Sequence, residues 1–347
     1  MIRDHYAAEK KWMLLELGFV HHGITSMDSY GDWCSPARSP LHIHSRDPKR
    51  ATPGPLLASV TLYQDLKLMA RYAGLLHKAA DQQYWLNAAA KIKIGVNRLL
   101  WNPQKNYYGN GSDTSCILPL AAGIVPAARR ADVIRRLLYR IDVVQHGYVG
   151  SGLIGGQWLF RALTRIGHAQ TAWDMLNKTG YPSWGYMVAH GATTVWELWN
   201  GNTANPAMNS QDHVMLIGDM VAWLYEDVAG IKCTLRDPAF HHIIMRPLVL
   251  HGLTWVKAWH HSPYGKIVSD WKITSNNRFR WFVAIPTNST ATVEIPAATA
   301  QSVRLDGHKI INQPWIKFSG FKNGRAIYTI ESGNYNFTAD LTPSLGG

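Results

Sequence analysis

The stretch GYPSWGYMVAHGATTVWELWNG, residues 180 to 201, carries three tryptophans, two tyrosines, four glycines and a single acid, Glu197. A lone carboxylate among indoles is costly to bury in its ionised form unless something pairs with it. Two readings stand side by side. Glu197 is a helix-start glutamate pairing with a nearby arginine, or it is a group placed for proton or water chemistry. The surrounding aromatic residues suit sugars, because indole faces stack on pyranose C–H surfaces while a few polar groups fix the hydroxyls. Metal chemistry has little to work with. The acids are too sparse for a calcium cage, and the HIH and HH pairs lack a completed ligand set. The three cysteines, Cys34, Cys116 and Cys233, lie far apart and outline neither a zinc site nor a disulfide framework. No metal and no cofactor is expected.

The elements that must position such a site change character along the chain. Up to about residue 231, apolar residues recur at helical spacing. The pattern predicts helices over 56–79, 82–101, 131–141, 153–166, 168–177 and 213–228, after an amphipathic helix at the N-terminus. Short junctions at AADQ (79–82) and Gly167 join neighbours into hairpins. After residue 240 the period becomes two, in segments such as KIVSDWKIT, RFRWFVAIP and RAIYTIE, separated by Asn, Gly, Pro and Ser turns. Helical hairpins followed by strands predict two domains in series, 1–231 and 232–347. Long, aromatic and glycine-rich segments join the helices at 22–55, 102–117, 142–152 and 180–211. Loops of this length inside a compact domain are usually functional.

Composition bounds the alternatives. The chain has 347 residues, 46% hydrophobic and 17% charged, which suits a globular protein with a large core. No apolar run approaches the roughly 18 residues of a membrane span, and no membrane partner is expected. The N-terminus lacks the features of a signal peptide, so a cytoplasmic location is the default. The excess of Lys and Arg (35) over Asp and Glu (23) gives a net charge of +12. Its densest run, RRADVIRRLLYR (129–140), reads as a solvated helix face, and no nucleic-acid motif accompanies it. A polyanion binder and a uronate-specific lyase remain as rival classes, the lyase being disfavoured by GATTVWE.

The segments GYPSWGYMVAHGATTVWELWNG, YGDWCSP, HIHSRDP, YYGNGSDTS, MNSQDHVMLIGD and WLYEDVAGI, with the strand-rich tail around IPTNSTATVEIP, resemble the bacterial α-L-rhamnosidases of glycoside hydrolase family 78, in the same order. The resemblance implies an (α/α)6 six-hairpin toroid followed by an antiparallel β-sandwich, and hydrolysis of terminal non-reducing α-L-rhamnose with inversion. The substrate would be a rhamnosylated oligosaccharide or glycoside. Inversion needs a carboxylic acid and a carboxylate base roughly 6.5–9.5 Å apart. The resemblance carries the base role onto Glu197. It places Asp32 and Trp33 at the pocket rim, Trp184 and Trp196 in its wall, and Tyr186 and His213 on the sugar. Trp33 also reads as a loop anchor, Trp184 and Trp196 as core, and His213 as a capping or core residue. Asn200 stands where many members have Asp. The family's general acid lies in a D…R…E…W…GD segment that this sequence does not contain. The chain is therefore expected to form the C-terminal two-thirds of a catalytic unit, with an incomplete toroid. Its exposed helix faces would favour self-association or a complementing N-terminal fragment. A non-catalytic carbohydrate-binding remnant, or half of a split glycosidase, is the alternative.

Overall fold

The computed structural model describes residues 1–28, 30–42, 51–204, 210–213, 218–234 and 237–342. Most of HIHSRDP, the start of MNSQDH and the first turn of the expected 213–228 helix lie outside the described residues. Two compact units divide the chain, Met1–Asp219 and Met220–Gly347.

The first unit is helical. Its helices are α1 (Ile2–Gly18), α2 (Gly54–Leu75), α3 (Ala79–Leu99), α4 (Asp113–Ala122), α5 (Ala127–Tyr139), α6 (Leu153–Arg165), α7 (Ala169–Leu176) and α8 (Trp184–Ala189), with α9 (Gly218–Trp223) at the junction. Helices α2, α4 and α6 neighbour one another as an inner row, and each pairs with the next helix in sequence, α3, α5 and α7. Burial explains the two layers. Every residue of α4 except Ala121 is buried, as expected for a helix surrounded by protein. In α5 only Val133 and Leu137 are buried, and Arg130 and Arg135 are exposed. The solvated face expected for 129–140 holds for Arg130 and Arg135 only: Arg129 and Arg136 donate to the Asn97 and Gly111 carbonyls, and Arg140 is buried with Asp113 at 2.7 Å.

Local chemistry sets the joints. Pro53 and Pro55 bracket the start of α2, where a missing N–H costs nothing. The junction after α2 falls at residues 76–78, with His77 at φ 57°, and not at AADQ. That segment is the first turn of α3, where Asp81 meets the positive end of the helix. Asp81 accepts from Tyr6 Oη at 2.9 Å and Lys10 Nζ at 2.7 Å, which fastens α1 to α3. The 21–24 loop lies directly on α3: a Cβ on Gly95 would sit 2.1 Å from the Gly23 carbonyl oxygen. The outer face of α1 leaves Trp12 and Leu15 exposed.

The second unit is a two-sheet sandwich. Its strands follow β1 (Trp101–Asn102) and β2 (Tyr107–Tyr108), a short ladder in the helical unit. They are β3 (Ile231–Cys233), β4 (His242–Met245), β5 (Trp255–Ser262), β6 (Gly265–Ile273), β7 (Arg278–Ile285), β8 (Thr290–Pro296), β9 (Arg304–Leu305), β10 (His308–Lys309), β11 (Ile316–Lys322), β12 (Arg325–Ile330) and β13 (Gly333–Asp340). One sheet has the order β10-β9-β13-β7-β6-β5 and the other β11-β12-β8-β4-β3. Pairing is antiparallel except between β4 and β8, which run parallel. Parallel neighbours need a crossover connection, and here the β5–β7 meander of the other sheet supplies it. Alternation sorts the faces: Trp271, Phe279, Trp281 and Phe337 from one sheet meet Ile243, Val293, Ile295 and Ile330 from the other. The buried indoles find partners, Trp281 Nε1 donating to Ser269 Oγ at 2.9 Å and Trp271 Nε1 to the Val228 carbonyl at 3.3 Å. Truncating any of these large side chains is expected to cost about 3–5 kcal/mol.

Candidate functional site

Glu197 lies in the irregular segment between α8 and α9, half-buried between the buried Trp196 and Leu198. A second segment runs alongside in the opposite direction. His213 N donates to the Val195 carbonyl at 2.7 Å, and Glu197 N donates to the Ser210 carbonyl at 2.9 Å. Ser210 N returns a bond to Glu197 Oε2 at 3.0 Å, and Trp33 Nε1 donates to Oε1 at 3.2 Å. Each carboxylate oxygen thus accepts one defined hydrogen bond and keeps acceptor capacity to spare. The Ser210 bond, joined by Trp33 and by the nearby His213, holds the Glu197 carboxyl below the ordinary glutamate range, although burial pulls the other way. Glu197 is therefore ionised at neutral pH. Among the described residues, no arginine acts on it.

His213 is half-buried, and its Nδ1 is buried with no hydrogen-bond partner among the described residues. An unpaired buried nitrogen beside an ionised carboxylate is a ready contact for a ligand hydroxyl.

Asp32 lies elsewhere than a pocket rim. Its Oδ1 accepts from Ile154 N and Gly155 N, both at 3.0 Å. Its Oδ2 accepts from Gly152 N at 2.9 Å and from Thr114 Oγ1. Those donors use the acceptor capacity of a carboxylate, so no oxygen is left for a sugar hydroxyl. Asp32 is an anchor at the start of α6. The anchor needs bare backbone: a Cβ on Gly152 would lie 2.3 Å from the Asp32 carbonyl oxygen, and one on Gly155 would lie 2.0 Å from Thr114 Oγ1. Leu153 N donates to the Trp33 carbonyl at 2.7 Å, so the same contact fixes Trp33. Burial pushes the Asp32 carboxyl up, against the pull of its hydrogen bonds. Cys34 follows at φ 58°. Burial, reinforced by the Glu197 and Asp32 charges, pushes its thiol up to about 12, which keeps it protonated and unreactive.

The remaining sequence candidates pack in α8 and in the loop that carries Glu197. Ser183 Oγ caps α8 by accepting from Tyr186 N at 2.9 Å. Trp184 is half-buried, 5.4 Å from Phe160 and 5.0 Å from Trp199 between ring centroids. Tyr186 is buried and its hydroxyl donates to Asn202 Oδ1 at 3.1 Å, so it braces the loop. Trp196 is 4% exposed and packs so closely on Gly201 that a Cβ there would sit 2.6 Å from the indole. It is core, leaving Trp33 as the indole in direct contact with the carboxylate. Asn200 Nδ2 donates to the Pro40 and His42 carbonyls at 2.6 and 2.8 Å, tying this loop to the 30–42 segment.

Sequence reasoning missed Ser210, whose backbone N–H carries no side-chain signal. It also missed Gly152 and Gly155, although the run GSGLIGG (150–156) signals close backbone approach.

Comparison with known proteins identifies the family. The family model for the bacterial α-L-rhamnosidase six-hairpin glycosidase domain matches residues 1–228. The model for the bacterial α-L-rhamnosidase C-terminal domain matches residues 230–309. An α-L-rhamnosidase of Formosa agariphila is 26% identical over 98% of this chain, and one of Streptomyces avermitilis is 27% identical over 90%. The chain covers 36% and 28% of those two proteins, about a third of their length. The solved structure of the α-L-rhamnosidase from Dictyoglumus thermophilum superposes with a TM-score of 0.86 at 29% identity, covering 97% of this chain and 37% of that one. The chain belongs to the bacterial α-L-rhamnosidase family, as a six-hairpin-type helical domain followed by the sheet-rich C-terminal domain.

Proposed function

We propose that the chain is a glycosidase unit that releases terminal α-L-rhamnose from a rhamnosylated oligosaccharide or glycoside, with inversion at the anomeric carbon. The catalytic domain spans residues 1–231 and the sandwich 232–347. Glu197 is the general base: its ionised carboxylate takes a proton from the attacking water as oxygen bonds to the anomeric carbon. Trp33 Nε1 and the Ser210 N–H hold it in place, and His213 Nδ1 binds a sugar hydroxyl. The observation that carries this reading is the pairing of Trp33 with Glu197 across 164 residues of sequence, with the carboxyl held ionised.

The reaction also needs a proton on the leaving oxygen. Asp32 does not supply it, because its carboxylate is spent on the start of α6. A nitrophenolate departs without that proton and a sugar alkoxide does not. We therefore expect turnover of p-nitrophenyl α-L-rhamnoside and very slow turnover of a rhamnosyl disaccharide. Losing general acid catalysis costs on the order of 10²–10⁴ in rate. Glu197→Gln should remove the aryl activity, and proton NMR of the wild-type reaction should show the β-anomer of rhamnose first. Unchanged aryl activity in Glu197→Gln would refute the base assignment. Binding of L-rhamnose with no turnover of either substrate would favour the alternative, a carbohydrate-binding remnant or half of a split enzyme.

A further inference from the structure

The outer face of the six-stranded sheet carries a groove of about 840 Å³ that the rhamnosidase reading leaves unused. One cross-strand row runs through it, with Lys272, Arg280 and Thr338 in the lining and Trp255 and Arg304 flanking them by register. Trp255 on β5 pairs with Lys272 on β6, Lys272 with Arg280 on β7, Arg280 with Thr338 on β13, and Thr338 with Arg304 on β9. Four strand spacings of ~4.8 Å make this row roughly 19 Å long.

Lys272 and Arg280 break a rule of sheet design. They are directly opposed on neighbouring antiparallel strands, where side chains come within about 5 Å and like charges destabilise. Both are exposed, and neither has an ion-pair partner among the described residues. Two acids line the same groove. Asp270 is the register partner of Lys257 on β5, Asp306 accepts from Asn336 Nδ2 at 2.9 Å, and neither forms an ion pair with Lys272 or Arg280 among the described residues. Arg278 leans on Thr338 Oγ1 and Asp340. Arg304 spends one nitrogen on the Gln301 and Val303 carbonyls. A local violation without internal compensation marks a place where something else supplies the compensation.

The rest of the groove describes the molecule that would fit it. Trp255 is 65% exposed at one end of the row, offering a flat indole face. Thr274, Asn276, Asn336 and Thr338 line the groove with hydroxyl and amide groups. Three cations face two acids in the lining, a net charge of only +1. A polyphosphate chain calls for many more cations, one for each phosphate it neutralises. A sparsely charged chain of rings and hydroxyls fits better. We propose that this sheet face binds an acidic oligosaccharide, a chain of sugar rings bearing uronate carboxylates, laid across the strands with one ring on Trp255 and a carboxylate between Lys272 and Arg280. The assignment stands apart from the chemistry at Glu197.

Isothermal titration of the full chain with tetragalacturonate tests it, with neutral maltotetraose and a single-stranded DNA oligonucleotide as comparators. We expect saturable binding of tetragalacturonate that weakens with salt. Lys272→Gln/Arg280→Gln should weaken it about tenfold or more, as expected for loss of charge-assisted bonds, and Trp255→Ala should weaken it several-fold. The double variant should melt no lower than the wild type, because it removes a like-charge pair, and aryl rhamnoside hydrolysis should be unchanged. The proposal falls if maltotetraose binds as well, if the oligonucleotide binds better, or if the double variant binds tetragalacturonate normally. A markedly lower melting temperature in the double variant would also overturn it, by making the pair structural.

Discussion

Two carboxylates reach the same neighbourhood of the helical unit and are treated in opposite ways. Asp32 is buried, accepts from three backbone N–H groups and a hydroxyl, and has its carboxyl pushed up by burial. Glu197 is half-buried, accepts from one backbone N–H and one indole, and has its carboxyl held down. Both act on the Cys34 thiol that lies near them. Hydrogen bonds that saturate a carboxylate make it part of the scaffold. Hydrogen bonds that aim it and leave acceptor capacity free keep it available for a ligand or a water. Electrostatic shift alone would have misled, because the raised carboxyl looks like a general acid, and only its partners show that it is an anchor.

The comparison breaks most readily where a third carboxylate is introduced. Asn200 is buried, and its amide hydrogens point at the Pro40 and His42 carbonyls. Asn200→Asp puts an acceptor against acceptors. It should cost about 3 kcal/mol, the scale of an unpaired buried charge, with the loss growing as pH rises and the new carboxyl ionises. Thermal unfolding at two pH values checks this. A variant as stable as wild type at neutral pH would mean that the loop contact is not fixed by the amide.

The scaffold side of the comparison depends on bare backbone at the start of α6. Gly152→Ala forces a Cβ into the Asp32 and Trp33 carbonyls. The expected penalty is about 2 kcal/mol, in the range for overpacking, with activity reduced through displaced Trp33. Denaturant unfolding alongside aryl rhamnoside kinetics would show both effects together.

The smallest effect is the most specific. Trp33→Phe keeps an aromatic ring and removes the donor to Glu197. A hydrogen bond to a charged group is worth about 1.5–3 kcal/mol, so kcat/KM should fall about tenfold with little change in melting temperature. The indole bond favours the ionised form, so losing it raises the Glu197 pKa. The acid limb of the kcat/KM profile should therefore move to higher pH in the variant. A limb that stays in place would remove Trp33 from the account.

Much of this was legible in the sequence, for identifiable reasons. The apolar stripe of the outer helix α5 survives in its residues, whereas α4 was not legible, because a helix buried all round shows no polar face and its first turn falls in the segment 102–117 read as a loop. The strands alternate because each sheet has one buried face. Glu197 stood out as one acid among indoles. The function of Asp32 was not legible, because its partners are backbone groups about 120 residues downstream that carry no side-chain signature. The same holds for Ser210. The parallel pairing of β4 with β8 was hidden because alternation reports which face is buried and says nothing of the neighbour's direction. The opposed Lys272 and Arg280 were visible as residues, but their juxtaposition required the register.

One measurement bears most directly on the division between the two acids. Glu197→Gln and Asp32→Asn should be compared for kcat/KM on p-nitrophenyl α-L-rhamnoside per mole of folded protein, with thermal unfolding of each. Glu197→Gln should melt close to wild type and lose a hundredfold or more of its activity, within the range of about 10²–10⁴ for an acid–base group. Asp32→Asn should melt markedly lower, because the amide presents donors to backbone N–H groups, while the fraction that remains folded loses far less activity than Glu197→Gln. A stable Asp32→Asn that is inactive, beside an active Glu197→Gln, would contradict the account.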